Sequence, residues 1–259
     1  GTLKEGRGFG VVYQEGSEPD RQDPEGWKLS WDYRTRFGRP LQFRLPSGHV
    51  VAIQQSPSSC DASVTADDPI DSSVTVWDSA LVLAHLLCRH PQTIKGKRVV
   101  ELGAGTGLLG CVAGGLGARA VVLTDLKGVC LRLTAAASEN RTCFEGRVEA
   151  RPLPWGDAGA AQDVRNNCFA GEAPDVILST DCVYREGIPD LLVSSIEALM
   201  GPKSIALCAV ASHKPDVMKE FCDRVASSDT LTMDQVTAAE LDPYVKCDAI
   251  LVYRLRMCA

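Results

Sequence analysis

The chain has 259 residues, with 27 Lys+Arg against 33 Asp+Glu and a formal charge of −6 at pH 7. Hydrophobic residues at 45% and charged residues at 23% match a globular composition, which excludes wholesale disorder and the fibrous classes. The acidic balance argues against a protein that works by neutralising phosphate backbones, so no nucleic-acid partner is expected. A basic partner fits better.

Residues 1–40 are polar, carry Trp27 and Trp31, and read as an arm with little periodic structure. The opening run Gly1-Thr-Leu-Lys-Glu-Gly has no apolar signal core, so no secretory leader is expected. Leu41, Phe43 and Leu45 alternate with polar residues, Pro46-Ser-Gly-His49 supplies a turn, and Val51 and Ile53 resume the alternation. That pattern predicts a β-hairpin. Residues 55–73 are rich in Ser, Asp and Pro without periodicity, which predicts a loop. No Lys or Arg occurs between Arg44 and Arg89, whereas Asp61, Asp67, Asp68, Asp71 and Asp78 all do. The run reads either as a solvated face or as an acidic rim that attracts a Lys-rich target.

Apolar spacing predicts a helix over 78–90, stopped by Pro91. Strands and helices then alternate. Strands are predicted at 98–102, 120–124, 148–153, 175–179, 204–210 and 249–256, and helices at 107–116, 129–140, 188–200 and 216–226. In the third of these helices Ile188, Leu191, Leu192, Ser195, Ile196 and Leu199 form one apolar stripe. Residues 158–172 read as a polar surface insertion. The uncharged stretch 102–118 is rich in glycine and at the short edge for a membrane span, so no membrane partner is expected. This alternation predicts an α/β fold, Rossmann-like, with a mostly parallel sheet and helices on both faces. One domain over 41–259, following the arm, accounts for the pattern.

Eleven cysteines is an odd number, and the nearest pair is Cys247 and Cys258, so there is no Cys-x-x-Cys. Neither a zinc site nor a redox dithiol is encoded locally, and the four histidines are scattered. Buried thiols in a reducing cytosol or nucleus are the expectation.

Chemistry concentrates in Val99-Val-Glu-Leu-Gly-Ala-Gly-Thr-Gly-Leu-Leu-Gly110. A buried strand runs into glycines and then a helix, which lets backbone approach a ligand at the carboxyl edge of a sheet. Gly105, Gly107 and Gly110 satisfy the dinucleotide pattern G-x-G-x-x-G, which keeps NAD open. Gly103, Gly105 and Gly107 have instead the spacing of S-adenosylmethionine loops, and Glu101 is better placed for an ammonium than for a pyrophosphate. Asp125, about 20 residues on from the loop, ends the next strand where an acid accepts ribose hydroxyls. Trp155, in Pro152-Leu-Pro-Trp-Gly156, follows a further strand end and offers an aromatic face to an adenine.

Four segments extend this reading: Val76-Trp-Asp-Ser-Ala-Leu81, Glu101-Leu-Gly-Ala-Gly-Thr-Gly107, Leu123-Thr-Asp125 with Asn140, and Leu153-Pro-Trp-Gly156 followed by Ser179-Thr-Asp-Cys-Val-Tyr184. Together they resemble the seven-β-strand class I protein-lysine methyltransferases that modify chaperones, elongation factors and an AAA ATPase. The valosin-containing-protein branch is the most similar. The resemblance spans about residues 41–256. It implies a seven-stranded sheet and S-adenosyl-L-methionine as cofactor, bound by Trp77, Gly103, Ala104, Gly105, Asp125, Trp155 and Thr180 beside Glu101. It further implies a catalytic, lysine-binding pair, Asp181 and Tyr184, acting on a protein substrate; separately, the thiol usage fits a cytoplasmic or also nuclear location, and a monomer is the expectation. An ionised carboxylate raises the pKa of a nearby lysine, so Asp181 is read as positioning the amine, with Tyr184 as hydroxyl and aromatic wall. Cys182 between them reads as a small packing residue. Where many relatives carry an Arg after the next strand, this chain has Ala211-Ser-His-Lys-Pro215, which leaves His213 or Lys214 as substitutes. Methylation of a small molecule or a protein N-terminus, an inactive cofactor-binding module, and an NAD-dependent oxidoreductase are the competing readings.

Overall fold

A computed structural model describes residues 8–12, 40–55, 73–245 and 248–258. Trp27, Trp31, Asp61, Asp67, Asp68, Asp71, Cys60 and Cys247 lie outside them. The acidic-rim reading therefore falls mostly outside the described residues, as does most of the arm.

The larger sheet contains β4 (Arg98–Leu102), β5 (Ala120–Asp125), β6 (Arg147–Pro152), β7 (Val176–Thr180), β8 (Ile205–Ala211), β9 (Leu231–Gln235) and β10 (Ile250–Met257). Its seven strands run in the order β6-β5-β4-β7-β8-β10-β9. The pairs from β6 to β8 are parallel, whereas β10 is antiparallel to both β8 and β9. Around the sheet stand α1 (Asp78–Arg89), α2 (Leu108–Gly115), α3 (Cys130–Glu139), α4 (Ala158–Phe169), α5 (Ile188–Leu199) and α6 (Pro215–Ala226).

Strand periodicity divides the core into two layers. Val99, Val121, Leu178 and Leu207 pack with the apolar residues of α1, α2 and α3. Their chain neighbours Val100, Val122, Ile177 and Ala206 pack with those of α4, α5 and α6. Both faces are covered, which is why these strands read as continuous Val/Ile/Leu runs instead of alternating with polar residues.

A second sheet joins β1 (Gly10–Val11), β2 (Leu41–Arg44) and β3 (Val50–Ile53), all antiparallel. The predicted hairpin forms β2–β3. Gly10–Val11 adds a short strand from the arm, and its edge pairing with β2 is a long-range contact that local spacing does not encode. Asn140 pins this sheet to the core: its side chain accepts from Ala52 N–H at 2.7 Å and donates to Ala52 C=O at 2.8 Å.

Residues 158–169 form α4, which overturns the reading of 158–172 as a surface insertion. Ala161, Val164, Cys168 and Phe169 are buried on one face, and the Asp157 carboxylate caps the first turn by accepting from Ala160 N–H at 2.9 Å. The small Ala and Gly residues hid the stripe. Strand β9 was also missed, because Leu231–Gln235 buries only Leu231 fully and holds its place by pairing with β10. Among the described residues no helix is long and apolar enough to cross a membrane. The nine described cysteines are free; five are buried, Cys130, Cys143 and Cys222 are half-buried, and Cys258 is exposed, so the expectation of buried thiols holds for only part of the set.

Candidate active site

The carboxyl ends of β4, β5, β6 and β7 surround a cavity of about 320 Å³. All ten residues singled out in the sequence line it: Glu101, Gly103, Ala104 and Gly105 after β4, Asp125 at the end of β5, Trp155 beyond β6, Thr180, Asp181 and Tyr184 at and after β7, and Trp77 ahead of α1. Parallel strands present all their carboxyl ends on one edge, so segments as far apart in sequence as Trp77 and Tyr184 meet there.

The loop from Gly103 to Gly107 turns tightly before α2. Gly103 has φ +66°, and a Cβ there would lie 2.6 Å from Trp155 Cζ2 and 2.7 Å from Cys182 Sγ. Glycine is therefore demanded both by the turn and by the close approach of the segments that follow β6 and β7. Ala104 N–H donates to Thr124 C=O at 3.0 Å, and Thr124 Oγ1 donates to Glu101 C=O at 2.7 Å, which locks the ends of β4 and β5 together.

Glu101 is 2% exposed, and its Oε2 accepts from Gly110 N–H at 2.8 Å in the first turn of α2. Burial pushes its carboxyl up to about 8, against the opposing pull of that hydrogen bond. A carboxyl whose folded-state pKa is raised binds its proton more tightly in the native state. Its contribution to stability is therefore fully present below the unfolded value near 4.5 and is lost as pH rises through about 8. The melting temperature of the ligand-free protein is expected to fall across that window, and to fall less in Glu101→Gln. Parallel pH slopes for the two proteins would show that another group titrates.

Asp125 is also shifted upward by burial, while N–H bonds from Gly105 and Leu126 pull the other way. Those bonds are 2.9 Å to Oδ2 and 2.7 Å to Oδ1. Each carboxylate oxygen retains a second lone pair for a ligand hydroxyl.

The turn after β7 is the most constrained part of the site. Asp181 has φ +53°, uncommon for a residue with a side chain although Asp tolerates it better than most. Its N–H donates to Ala209 C=O at 3.0 Å, and the buried Cys182 thiol contacts the carbonyls of Leu102 and Thr180. Lys214 Nζ donates to Tyr184 C=O at 2.8 Å, and Glu220 accepts from Gly187 N–H at 2.9 Å, so α6 and the residue before it hold the turn from outside. Lys214, rather than His213, is thus the residue after β8 that meets the Asp-x-x-Tyr turn. Burial raises the pKa of the Tyr184 phenol, keeping it protonated as a donor.

Sequence reasoning missed part of the wall. Cys182 packs as expected yet also lines the cavity, and so do Arg185, Ile188 and Leu191. Leu191 was placed on the core stripe of α5, but it is 41% exposed and closes over Gly156 at the cavity mouth. Its position at the first turn of α5, beside the strand ends, was the available signal. The Trp155 turn is fixed from the same helix, through Ser195 Oγ accepting from Gly156 N–H at 2.8 Å.

A family described as lysine methyltransferase matches residues 62–228. The chain belongs to the lysine methyltransferase family. It is 37% identical over 138 residues to Protein N-lysine methyltransferase METTL21A of Danio rerio, a match covering 52% of this chain and 59% of that protein. It is 30% identical over 181 residues to EEF1A lysine methyltransferase 3 of Xenopus tropicalis, covering 70% and 73% respectively. The chain thus spans less than two thirds of the length of the first relative and nearly three quarters of the second. Among solved structures, a SAM-dependent methyltransferase of Streptococcus mutans superposes with TM-score 0.54 at 11% identity, covering 86% of this chain and 57% of that one. This likeness concerns the fold.

Family membership makes S-adenosyl-L-methionine the cofactor, and the cavity fits it. The buried acid Glu101 suits an ammonium, the Asp125 carboxylate suits vicinal hydroxyls, and the cradle that a Cβ on Gly103 would fill leaves backbone close to the ligand.

Proposed function

We propose that the protein is an S-adenosyl-L-methionine-dependent protein-lysine N-methyltransferase. One observation carries the reading: Asp181 and Tyr184 stand on the wall of the same cavity whose loop and acids, Gly103, Glu101 and Asp125, are suited to the cofactor. The cofactor, when bound, supplies an electrophilic methyl group on a sulfonium centre. Everything else falls to the chain's own side chains.

Glu101, Asp125 and Trp155 hold and orient the cofactor from the strand ends. Asp181 and Tyr184 align the lysine amine, the tyrosine through its hydroxyl and its ring. Leu153, Ile188 and Leu191 line the same cavity and exclude water from it. A lysine amine entering apolar surroundings loses its preference for the charged form, and the neutral amine is the nucleophile. Asp181 opposes that shift electrostatically, so its role is alignment and passage of the released proton to solvent rather than strong-base abstraction. Orientation of this kind supplies much of the rate in a reaction whose electrophile is already activated.

The names of the relatives point to protein substrates, EEF1A among them. With the motif resemblance to the valosin-containing-protein branch, they support a chaperone, AAA ATPase or elongation factor as the methylated protein. A second reading has one observation in its favour. The chain is 29% identical over 154 residues to Protein N-terminal and lysine N-methyltransferase EFM7 of Eremothecium gossypii, whose name includes both acceptors.

Incubation with methyl-labelled cofactor and cell extract, followed by mass spectrometry, separates these readings. Label on lysine Nζ is the expected result. Label on α-amino groups favours the second reading, and label confined to small molecules overturns both. S-adenosylhomocysteine, and not NAD, is expected to raise the melting temperature of the protein.

A further inference from the structure

We propose that Arg185 reads an acidic residue beside the target lysine, so that the substrates are lysines flanked in space by Asp or Glu. This rests on the protein-lysine reading and names the substrate class of the same site.

The ionisable residues of the cavity wall divide unevenly. Glu101, Asp125 and Asp181 are acids that complement the cationic cofactor, the ribose hydroxyls and the amine. Arg185 is the cation among the described lining residues, directly after Tyr184 and exposed at the mouth. A guanidinium does not complement a lysine. It complements a carboxylate, which it grips with two parallel N–H donors.

Asp190 and Glu220, carried by α5 and α6, are bound elsewhere. Asp190 accepts from Arg224 Nε at 2.7 Å, and Glu220 accepts from Gly187 N–H. Among the described residues Arg185 forms no ion pair, whereas Arg224 binds Asp190 and Glu197, and Arg254 binds Asp234 and Glu240. The cofactor's own carboxylate is the rival for this guanidinium. Exposure decides between them: the cofactor's acid partner Glu101 is 2% exposed, while Arg185 stands at the rim, where the segment carrying the lysine must pass. The guanidinium also disfavours an ammonium in its vicinity, which offsets the opposite effect of Asp181 on the incoming amine.

The test compares the full chain with Arg185→Glu and Arg185→Lys. Each protein is incubated with methyl-labelled cofactor and native cell extract, methylated lysines are mapped by mass spectrometry, and S-adenosylhomocysteine affinity is measured by calorimetry. Sites of the parent chain are expected to carry Asp or Glu nearby more often than lysines of the extract at large. An exposed ion pair is worth up to roughly fivefold and charge reversal adds repulsion, so Arg185→Glu should cut methylation at those sites by about three- to tenfold. Arg185→Lys should retain most of it, and all three proteins should bind S-adenosylhomocysteine within about twofold of one another. A parallel loss of S-adenosylhomocysteine affinity would assign Arg185 to the cofactor and overturn the proposal. An unchanged set of sites in Arg185→Glu would overturn it as well. If the parent chain binds S-adenosylhomocysteine but labels no lysine, the protein-lysine reading itself fails, and this inference with it.

Discussion

Replacing Asp181 by Asn is expected to lower the methyl-transfer rate by about two orders of magnitude, with S-adenosylhomocysteine affinity held within about twofold of the parent chain. The substitution is chosen for its backbone. Asp181 sits at φ +53°, a region that Asn enters almost as readily as Asp and that other side-chain residues avoid at a cost of about 1–2 kcal/mol. The N–H bond to Ala209 C=O, the thiol contacts of Cys182 and the Lys214 bond to Tyr184 C=O all hold the same turn and are untouched. The substitution removes the charge and turns one acceptor oxygen into an N–H donor while keeping the side chain's shape. Single-turnover kinetics with calorimetry in parallel read the two quantities separately. A rate equal to that of the parent chain would place the amine-aligning group elsewhere, and a loss of affinity matching the loss of rate would make Asp181 a cofactor ligand. Asp181→Ala is a poorer probe, because it combines loss of the carboxylate with the backbone penalty.

Gly103→Ala should abolish cofactor binding, weakening S-adenosylhomocysteine affinity by about 100-fold or more, and should destabilise the fold by about 2–5 kcal/mol. Two costs add. An L-residue is disfavoured at φ +66°, and the new methyl group would enter the space of Trp155 Cζ2 and Cys182 Sγ, at 2.6 and 2.7 Å. Neither neighbour yields easily. The Trp155 turn is tied to α5 through Ser195, and Cys182 belongs to the constrained turn after β7. The strain therefore moves into the loop or pushes the indole into the cavity. Gly48→Ala is the control: its φ of +88° is equally unsuited to alanine, but nothing lies within 4 Å of the new Cβ. That variant should lose about 1–2 kcal/mol of stability with unchanged affinity. Normal S-adenosylhomocysteine binding by Gly103→Ala would show that the glycine loop is not part of the cofactor site.

How far the chain is legible before folding depends on how local each signal is. The glycine loop, the acid at the end of β5 and the Trp155 turn are short, contiguous runs at strand ends whose spacing is legible by itself, whereas Trp77, Thr180, Asp181 and Tyr184 came from the family resemblance; all line one cavity. The β-branched cores of β4, β5 and β7 were equally plain, because strands covered on both faces carry apolar residues at consecutive positions. Helix α4 was not legible, since Ala, Gly and Asn dilute its stripe and its Asp157 cap resembles an ordinary loop residue. Strands β1 and β9 are held by partners distant in sequence, Arg44 and Phe43 for the one and Tyr253 to Met257 for the other.

The amino-acid sequence by itself determined an acidic α/β chain with a cofactor-binding edge, because a charge count, strand periodicity and a glycine run are each complete within a few residues. Only the tertiary structure decided what the side chains at that edge do to one another. It buried Glu101 against Gly110 and so raised its carboxyl, and it placed Asp181 in a left-handed turn clasped by Lys214. It turned Leu191 out of the core stripe and set Arg185 at the rim of the cavity that the acids line. Burial, backbone strain and the sign of a neighbouring charge are properties of groups brought together from different strands, and no local run of residues contains them.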